Sequence, residues 1–384
     1  MKQKLQLLVA VIALLVSSVS GSAQTDTAKK AEFKPSGKVW GYVFGDFYDK
    51  AHADSLNRGS VQYSNIPKDM NAFDLRRVYL GYDYNISERI STEFLLAYEG
   101  QTLSDGATRT FFLKAANLRY KNVFKGADLV IGQMPTPGFP MLTEKIWGYR
   151  CIEKTVSDMR KIVNSNDVGV ALQGKFGKSG NSGYNLMIGN GTGQKIESDM
   201  FKKMYGDVYT KLMDQKIVFD VYADYEETRV LPRYHKARTT YKAFAAYATD
   251  AFTAGVEVFQ QTSKNNVIST DPGTGHTDTL TSHSLGVSIF IRGRIIKDKL
   301  GYFLRFDTYN PDTDFDATRL YVTTASPLTE NFITAGLDYT PNKNLHIIPN
   351  VWYNAFSNRT KNVSGAVKSD YDLVPRLTAY FIFK

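Results

Sequence analysis

Cysteine is almost absent from this sequence. Cys151 is the only cysteine in 384 residues, so it has no partner within the chain. A fold stapled by internal disulfides is therefore excluded. We expect Cys151 to be a partly buried small apolar residue, with a reactive thiol as the minor alternative. The histidines are also few, and none stands at metal-ligand spacing from other ligand residues. The sequence thus predicts no metal and no other cofactor.

Long apolar runs are missing as well, apart from one at the start of the chain. Lys2 and Lys4 precede an apolar run at 5–16, and the small residues Gly21 and Ala23 follow it. This run is shorter than the roughly 20 residues that span a bilayer as a helix. The pattern predicts a cleaved secretory signal at 1–23. The polar stretch at 24–37 is then expected to be a loose N-terminal extension.

An excess of negative charge is also lacking. The formal net charge is +9, and about +7 remains once Lys2 and Lys4 are removed with the signal. This excess is diffuse, which argues against nucleic acid and is compatible with anionic solutes or lipopolysaccharide. Mean hydropathy is slightly negative, yet aromatic residues make up 13% of the chain. They fall in short alternating segments, and a membrane barrel distributes its hydrophobicity in this way because only every second residue faces lipid.

Alternation of period two, bounded by turn residues, predicts sixteen strands. Their expected ranges are 38–49, 72–84, 88–99, 109–121, 126–134, 166–177, 183–190, 205–213, 215–227, 238–249, 252–262, 281–294, 300–310, 330–340, 345–357 and 371–383. The connections alternate between short turns and long segments, the longest of which is 135–165. Short turns at one end and long loops at the other are typical of outer-membrane barrels.

The last strand supports this interpretation most strongly. One face of 371–384 carries Leu373, Leu377 and Phe381, and the other carries Asp372 and Arg376. A Lys or Arg facing lipid near the bilayer centre costs about 2–4 kcal/mol, so the charged face should line water. We therefore predict an all-β fold, a transmembrane antiparallel up-and-down β-barrel of about 16 strands at 38–384. A soluble β-sandwich with the same alternation is the alternative.

Two stretches resemble the phosphate-selective porin O and P family of outer-membrane channels. The first is 73–99, FDLRRVYLGYDYNISERISTEFLLAYE, and the second is 113–139, LKAANLRYKNVFKGADLVIGQMPTPGF. The second contains Gly132, Gln133, Thr136 and Pro137 of a strand end and Thr-Pro turn that lead into a pore loop in such porins. Pro135 stands where members often have a lysine. The resemblance implies a porin in the bacterial outer membrane and a homotrimer.

In sixteen-stranded porins the third long loop folds inward and sets the constriction, and 135–165 holds that place here. The residues expected to form the constriction are Lys145, Arg150, Glu153, Lys154 and Arg160. The basic residues of this segment outnumber the acidic ones, which predicts a mild preference for anions, phosphate-like solutes included. The alternative is that these are solvated loop charges without a role in conduction.

The alternation also places charged residues on the face opposite the apolar rows. Residues expected to line the lumen are Arg77, Arg119, Arg292, Arg305, Arg376, Asp220, Asp224 and Asp307. Facing rows of opposite charge create a transverse field that filters solutes. Each of these side chains is otherwise a salt-bridged residue of the barrel wall.

The sequence therefore predicts an outer-membrane porin for passive diffusion of small hydrophilic solutes, in contact with membrane lipid and lipopolysaccharide. Two other functions stay open. One is the barrel of a secretion or adhesion complex, with long loops such as 263–280 and 311–329 as its working surface. The other is a barrel hydrolase, for which His276 and His283 beside Ser282 and Ser284 are the nearest candidates. Their spacing matches no nucleophile elbow, so we expect no enzyme activity.

Overall fold

A computed structural model describes residues 33–59, 61–100, 109–177, 179–231, 234–316, 318–321, 328–358 and 369–384. The chain divides into two compact units, Met1–Lys34 and Pro35–Lys384. Only 33–34 of the first unit are described, so the predicted signal at 1–23 lies outside the described residues. The same is true of most of the predicted extension at 24–37, whose last two residues belong to the first strand.

The second unit consists almost entirely of β-strands. They are β1 (Ser36–Asp49), β2 (Asn71–Asn85), β3 (Ile90–Glu99), β4 (Phe112–Phe124), β5 (Ala127–Pro135), β6 (Asn166–Phe176), β7 (Ser182–Gly189), β8 (Lys203–Leu212), β9 (Ile217–Leu231), β10 (Tyr234–Ala248), β11 (Phe252–Thr270), β12 (Thr277–Ile296), β13 (Leu300–Asn310), β14 (Leu320–Tyr321), β15 (Leu328–Asn342), β16 (Leu345–Asn358) and β17 (Asp370–Phe383). Two short helices, α1 (Thr143–Trp147) and α2 (Val156–Met159), lie between β5 and β6. In the described part of the chain no helix has the length and apolarity to cross a membrane.

The strands pair antiparallel in chain order, and the first pairs with the last. The seam between β1 and β17 runs from Gly41 opposite Phe383 to Tyr48 opposite Arg376. Within the described ranges, the two-residue β14 pairs with the outer end of β11. Sixteen strands therefore form a closed barrel with no free edge, as predicted, and closure satisfies the backbone groups that lipid would leave unpaired.

The barrel has an apolar outer face and a polar, densely packed interior. On the outside, Val221 is 59% exposed, Ile289 53% and Leu304 45%. On the inside, the next residues along the same strands, Asp220 and Arg305, are each 1% exposed. The alternation thus separates apolar and charged side chains in the predicted sense, because successive residues of a strand point to opposite faces.

The connections differ in length between the two ends of the barrel. Seven short turns of two to five residues lie at one end: 86–89, 125–126, 177–181, 213–216, 249–251, 297–299 and 343–344. Gly126 has a φ of +79°, a conformation that would be strained for a residue with a side chain, and so permits one of the two shortest turns. Most of the long connections at the other end match the predictions.

Two predicted long loops are instead largely strand. Most of the range 228–237 belongs to β9 and β10, and most of 263–280 belongs to β11 and β12. The ladder of β11 and β12 is interrupted between Ser263 and Val267 and then resumes out to Thr270 opposite Thr277. The Thr and Val residues beyond this irregularity have high strand propensity but show no regular alternation of apolar and polar side chains. The hairpin therefore extends past the barrel wall.

Candidate constriction site

The connection at 136–165, here named the inward loop, lies inside the barrel. Its residues Trp147 and Ile152 are at most 1% exposed and pack in one apolar cluster with Phe44, Phe290 and Phe303 of the wall. Trp147 meets the Phe290 ring edge-on, with 5.0 Å between the ring centroids. Burying a side chain of this size contributes about 1.5–3 kcal/mol, so the apolar residues of the loop hold it against the wall.

A second apolar cluster holds the two ends of the inward loop. Phe139, Val156 and Ile162 of the loop pack with wall residues that include Tyr205 and Phe259. Polar contacts add to this attachment. Thr143 Oγ1 accepts a hydrogen bond from Lys242 Nζ at 3.0 Å, and Ser157 Oγ donates to Glu257 Oε1 at 2.6 Å. The loop is thus fixed to several strands along its length.

A second loop, residues 50–70, also reaches the interior, which the sequence did not indicate. Tyr63 is 2% exposed and lies in an apolar cluster with Met159 of the inward loop and with Trp352. Gln62 Nε2 donates to Glu153 Oε2 of the inward loop at 2.8 Å. Lys50, the first residue of this loop, forms a 2.7 Å ion pair with Asp372. The first outer loop therefore contacts the inward loop directly.

Three of the five predicted constriction residues occupy the middle of the inward loop. Arg150 forms ion pairs with Glu144 at 3.1 Å and with Asp158 at 3.0 Å, both within the loop. Lys154 is half-buried and forms no ion pair with any carboxylate in the described ranges. Burial lowers the pKa of the Lys154 ammonium. Lys145 is exposed and likewise unpaired among the described residues.

The other two predicted residues point to the wall. Glu153 accepts hydrogen bonds from Trp352 Nε1 at 2.8 Å and from the Lys154 backbone N–H at 2.9 Å. Burial alone would raise the pKa of Glu153, but these hydrogen bonds and nearby cations lower it below its usual value. Arg160 pairs with Glu330 and donates to Asn354 Oδ1 at 3.2 Å. Neither charge is free.

Across from Arg150 the wall contributes its own charged residues. Arg77 and Lys114 both pair with Glu99, and Arg150 lies within electrostatic range of Glu99. The wall and loop groups together form what we call the mixed-charge cluster: Arg77, Glu99, Lys114, Glu144, Arg150, Lys154 and Asp158. It has four basic and three acidic members. The paired wall and loop side chains of this cluster are 10–23% exposed, in contrast to the fully buried apolar clusters.

Two β-bulges concentrate basic side chains at this level of the wall. Phe44 pairs with Arg77 while Gly45 pairs with Leu75, so Arg76 is an extra residue that also points inward. A second shift, in the pairing of β3 with β4, leaves Lys114 as the extra residue of β4. A bulge places two residues of one strand opposite one residue of its partner and re-aims the side chain. Strict alternation predicts Arg77 to point inward and misses Arg76 and Lys114.

Most of the other predicted lumen residues are paired within the wall. Arg119 binds Asp128 at 2.9 Å, Asp220 binds Lys242 at 2.9 Å and Asp224 binds Lys203 at 3.1 Å. Arg305 Nε donates to Asp307 Oδ1 at 2.8 Å. All point inward, as the alternation requires, but as ion pairs they contribute little net field to the lumen.

The cysteine and histidine residues show no reactive arrangement in the described part of the chain. Cys151 is 3% exposed, and burial raises the pKa of its thiol to about 12. His283 shares a 3.0 Å hydrogen bond with the Thr262 hydroxyl, and His276 is largely exposed. Among the described residues no group of three or more His, Cys, Asp or Glu side chains is arranged to hold a metal ion.

Several solved structures of outer-membrane proteins are similar to this chain. The anion-selective porin from Comamonas acidovorans superposes with a TM-score of 0.60 at 10% sequence identity, over 91% of this chain and 100% of that one. The outer membrane channel DcaP of Acinetobacter baumannii gives 0.62 at 13% identity, over 91% and 97%. The trimer form of OmpT of Vibrio cholerae gives 0.53 at 9%, over 91% and 99%.

These similarities establish the fold alone, because the identities are low. The chain has the fold of outer-membrane porins. No protein-family model and no curated protein sequence matches it. The narrower resemblance to the phosphate-selective porins therefore stays a prediction.

Proposed function

We propose that this protein is an outer-membrane porin through which small hydrophilic solutes diffuse passively. One observation carries the proposal: a closed barrel with an apolar exterior contains an inward loop that sets Arg150 and Lys154 opposite Arg77 and Glu99 of the wall. A barrel of sixteen strands is too wide for wall side chains alone to fill. A loop that narrows it with partly exposed charged groups is suited to sort solutes by size and charge.

The same cluster supports a mild preference for anions. Its basic members outnumber its acidic ones by one, and the three carboxylates are engaged with Arg77, Lys114 and Arg150. Lys154 therefore supplies the uncompensated charge. A single positive charge favours small anions, phosphate included, without excluding cations.

The setting is the bacterial outer membrane, after export and removal of residues 1–23. The apolar side chains on the outside of the barrel support contact with lipid and, at the outer rim, with lipopolysaccharide. A homotrimer is part of the proposal, because the similar OmpT structure is described as a trimer form. The cluster we propose as the filter lies within one chain, so each protomer would conduct on its own.

One observation favours a second candidate, the barrel of a secretion or adhesion complex. β11 has 19 residues and β12 has 20, whereas a transmembrane strand needs only about 9–11. The surplus forms the extended hairpin, to which β14 adds a further short pairing. The hairpin projects from the barrel and offers a surface to which another protein can bind. We rank it second because it does not account for the charged groups inside the barrel.

Conductance of the refolded protein in a planar lipid bilayer, with a salt gradient across it, tests the proposal. Folding is checked first by the heat-dependent shift of the barrel band in gel electrophoresis. Stepwise openings with a reversal potential on the anion side support the porin and its preference. A reversal potential on the cation side retains the porin and contradicts the anion preference. Silence from a folded barrel contradicts the porin and favours the second candidate.

A further inference from the structure

Four arginines of the barrel wall donate hydrogen bonds to backbone carbonyls of the inward loop. Arg292 Nε donates to Ile146 O at 3.0 Å, and Arg376 Nη2 donates to Ile152 O at 3.2 Å. Arg76 donates to Cys151 O, and Arg305 donates to Lys154 O. These arginines come from β2, β12, β13 and β17, so they approach the loop from separate positions on the wall.

The loop needs these donors because its middle is not helical. α1 ends at Trp147 and α2 begins at Val156, and the carbonyls between them lack most of the partners that a helix would provide. Cys151 and Ile152 are at most 3% exposed. A buried carbonyl without a hydrogen bond is costly. The wall arginines thus satisfy a segment that would otherwise be unfavourable inside the barrel.

Two carboxylates of the wall, together with Glu153 of the loop, offset the charges of three of these arginines. Asp46 pairs with Arg76 and lies 3.8 Å from Arg376, and Asp307 pairs with Arg305. The guanidiniums of Arg76, Arg305 and Arg376 are at most 8% exposed. A buried, neutralised ion pair contributes little field to passing solutes. The planar fork of arginine holds a carboxylate and a carbonyl at fixed positions on separate N–H groups, a geometry that the single nitrogen of lysine does not reproduce.

We infer that Arg76, Arg305 and Arg376, assisted by Arg292, are positioning residues that hold the segment 149–154 of the inward loop. Their effect on permeation is transmitted through Arg150 and Lys154, the charged residues of that segment. The sequence places Arg292, Arg305 and Arg376 among the charges that act on solutes directly. The inference about selectivity rests on the proposed function, whereas the inference about anchoring does not.

The chain contains its own reporter of anchoring. Cys151 is the only cysteine, and its own carbonyl accepts the Arg76 hydrogen bond. We would measure the rate at which a maleimide labels Cys151 in the refolded barrel in detergent, for the wild type and for Arg76→Lys, Arg305→Gln, Arg305→Lys and Arg292→Gln. Arg294→Gln is the control, because Arg294 is on the same strand as Arg292 and pairs only weakly with Asp298.

The expected result is faster labelling in all four anchor variants and wild-type labelling in the control. We expect the labelling rate to increase about tenfold or more. Loss of a hydrogen bond to a charged group shifts the equilibrium between the packed loop and its locally opened state by at least that factor. Arg292→Gln and the lysine variants keep the test decisive if Arg305→Gln fails to fold. Unchanged labelling in folded anchor variants would overturn the inference.

A permeation measurement then separates positioning from direct action. Reversal potentials are measured for Lys154→Glu, for Arg305→Lys and for the double variant. If Arg305 acts through the loop, Arg305→Lys shifts the reversal potential although the charge is kept, and the effect of Lys154→Glu shrinks in the double variant. If the two substitutions act additively on the reversal potential, and Arg305→Lys alone behaves like the wild type, the positioning role of Arg305 is overturned. A barrel that conducts nothing refutes the proposed function, while the labelling result still decides the anchoring.

Discussion

At the scale of single residues, pairing decides which charges inside the barrel can act on a solute. Lys154 is the one basic member of the mixed-charge cluster without an ion pair among the described residues. We expect Lys154→Glu to shift ion preference toward cations several-fold, because a unit charge at 4 Å contributes about 1 kcal/mol even in water. Reversal potentials in a salt gradient measure this.

Lys145→Glu is the matched control for that variant. Lys145 lies on the same loop and carries the same charge, but it is exposed and outside the cluster. We expect it to leave the reversal potential close to that of the wild type. An equal shift in both variants would mean that the net charge of the loop acts at a distance and that the cluster has no special role. Arg150→Glu is less informative, because it breaks two ion pairs within the loop and so changes the packing of the loop together with its charge.

Glu153 gives the inward loop a dependence on pH. Burial raises its pKa, but hydrogen bonds from the Lys154 amide and the Trp352 indole bring it below the usual value. A depressed folded-state pKa contributes stability above the unfolded pKa of about 4.3, and that stability is lost as the pH falls through the folded pKa. We therefore expect the tryptophan emission of the protein, to which Trp352 contributes, to shift to the red in acid, below about pH 4.3, and to stay constant from there up to neutral pH.

Glu153→Gln tests whether Glu153 causes this change of emission in acid, here called the acid step. The amide can accept fewer of the hydrogen bonds that now reach the carboxylate, and its own N–H groups face the donors Gln62 and Trp352. We expect a loss of about 1–3 kcal/mol in stability and a red-shifted emission already at pH 7, with no further step in acid. An acid step that persists unchanged in this variant would assign it to another carboxylate.

At the scale of elements, the sequence predicts the strands from their regular alternation but does not predict the β-bulges that interrupt it. The sixteen barrel strands follow from apolar side chains at every second position, including β7 and β8, whose signals are the weakest. The sequence contains Arg76 and Arg77 side by side, and only a bulge lets both point inward. A bulge depends on the pairing of two strands, which no single segment encodes. The same limit hides Lys114.

The extended hairpin of β11 and β12 is an element whose removal should not affect conduction. From Val267 and Leu280 outward, the strand pairings of the described residues join β11 to β12 and to β14. We expect replacement of 267–277 by Asn-Gly, a favoured two-residue turn, to leave conductance and ion preference unchanged. Planar bilayer recordings check this. Loss of conductance in the folded variant would contradict it.

The same truncation separates the two candidate functions. If the protein is the barrel of an adhesion or secretion complex, loss of the projecting surface abolishes that activity in cells. A porin instead retains uptake of small solutes. Cells that lack the gene for this protein are made to express either the full-length protein or the truncated variant. The two are compared for surface attachment and for solute uptake, and Lys154→Glu is the variant expected to affect uptake only.

At the scale of the whole molecule, the barrel could be predicted and the filling of its interior could not. Strand number, the apolar outer face and the short turns follow from local patterns that each strand carries by itself. The contacts of Glu153 with Trp352 and of Tyr63 with Arg376 join residues about 200 or more positions apart. They depend on how two loops share one enclosed space. Pairing of the predicted lumen charges was left open by the sequence for the same reason.

The orientation of the whole barrel toward lipid gives the last prediction. Ile289 is 53% exposed on the outer face of β12, and its neighbour Ser288 is 2% exposed inside. In a soluble protein, a substitution at so exposed a site changes stability by about 0.5 kcal/mol or less. Arginine facing lipid near the bilayer centre costs about 2–4 kcal/mol. We therefore expect Ile289→Arg to lower the free energy of unfolding by that larger amount, measured by guanidinium denaturation of the barrel in lipid vesicles. Lys216→Arg, in a short turn outside the wall, is the control. A small effect for Ile289→Arg would place this face in water and contradict a membrane barrel.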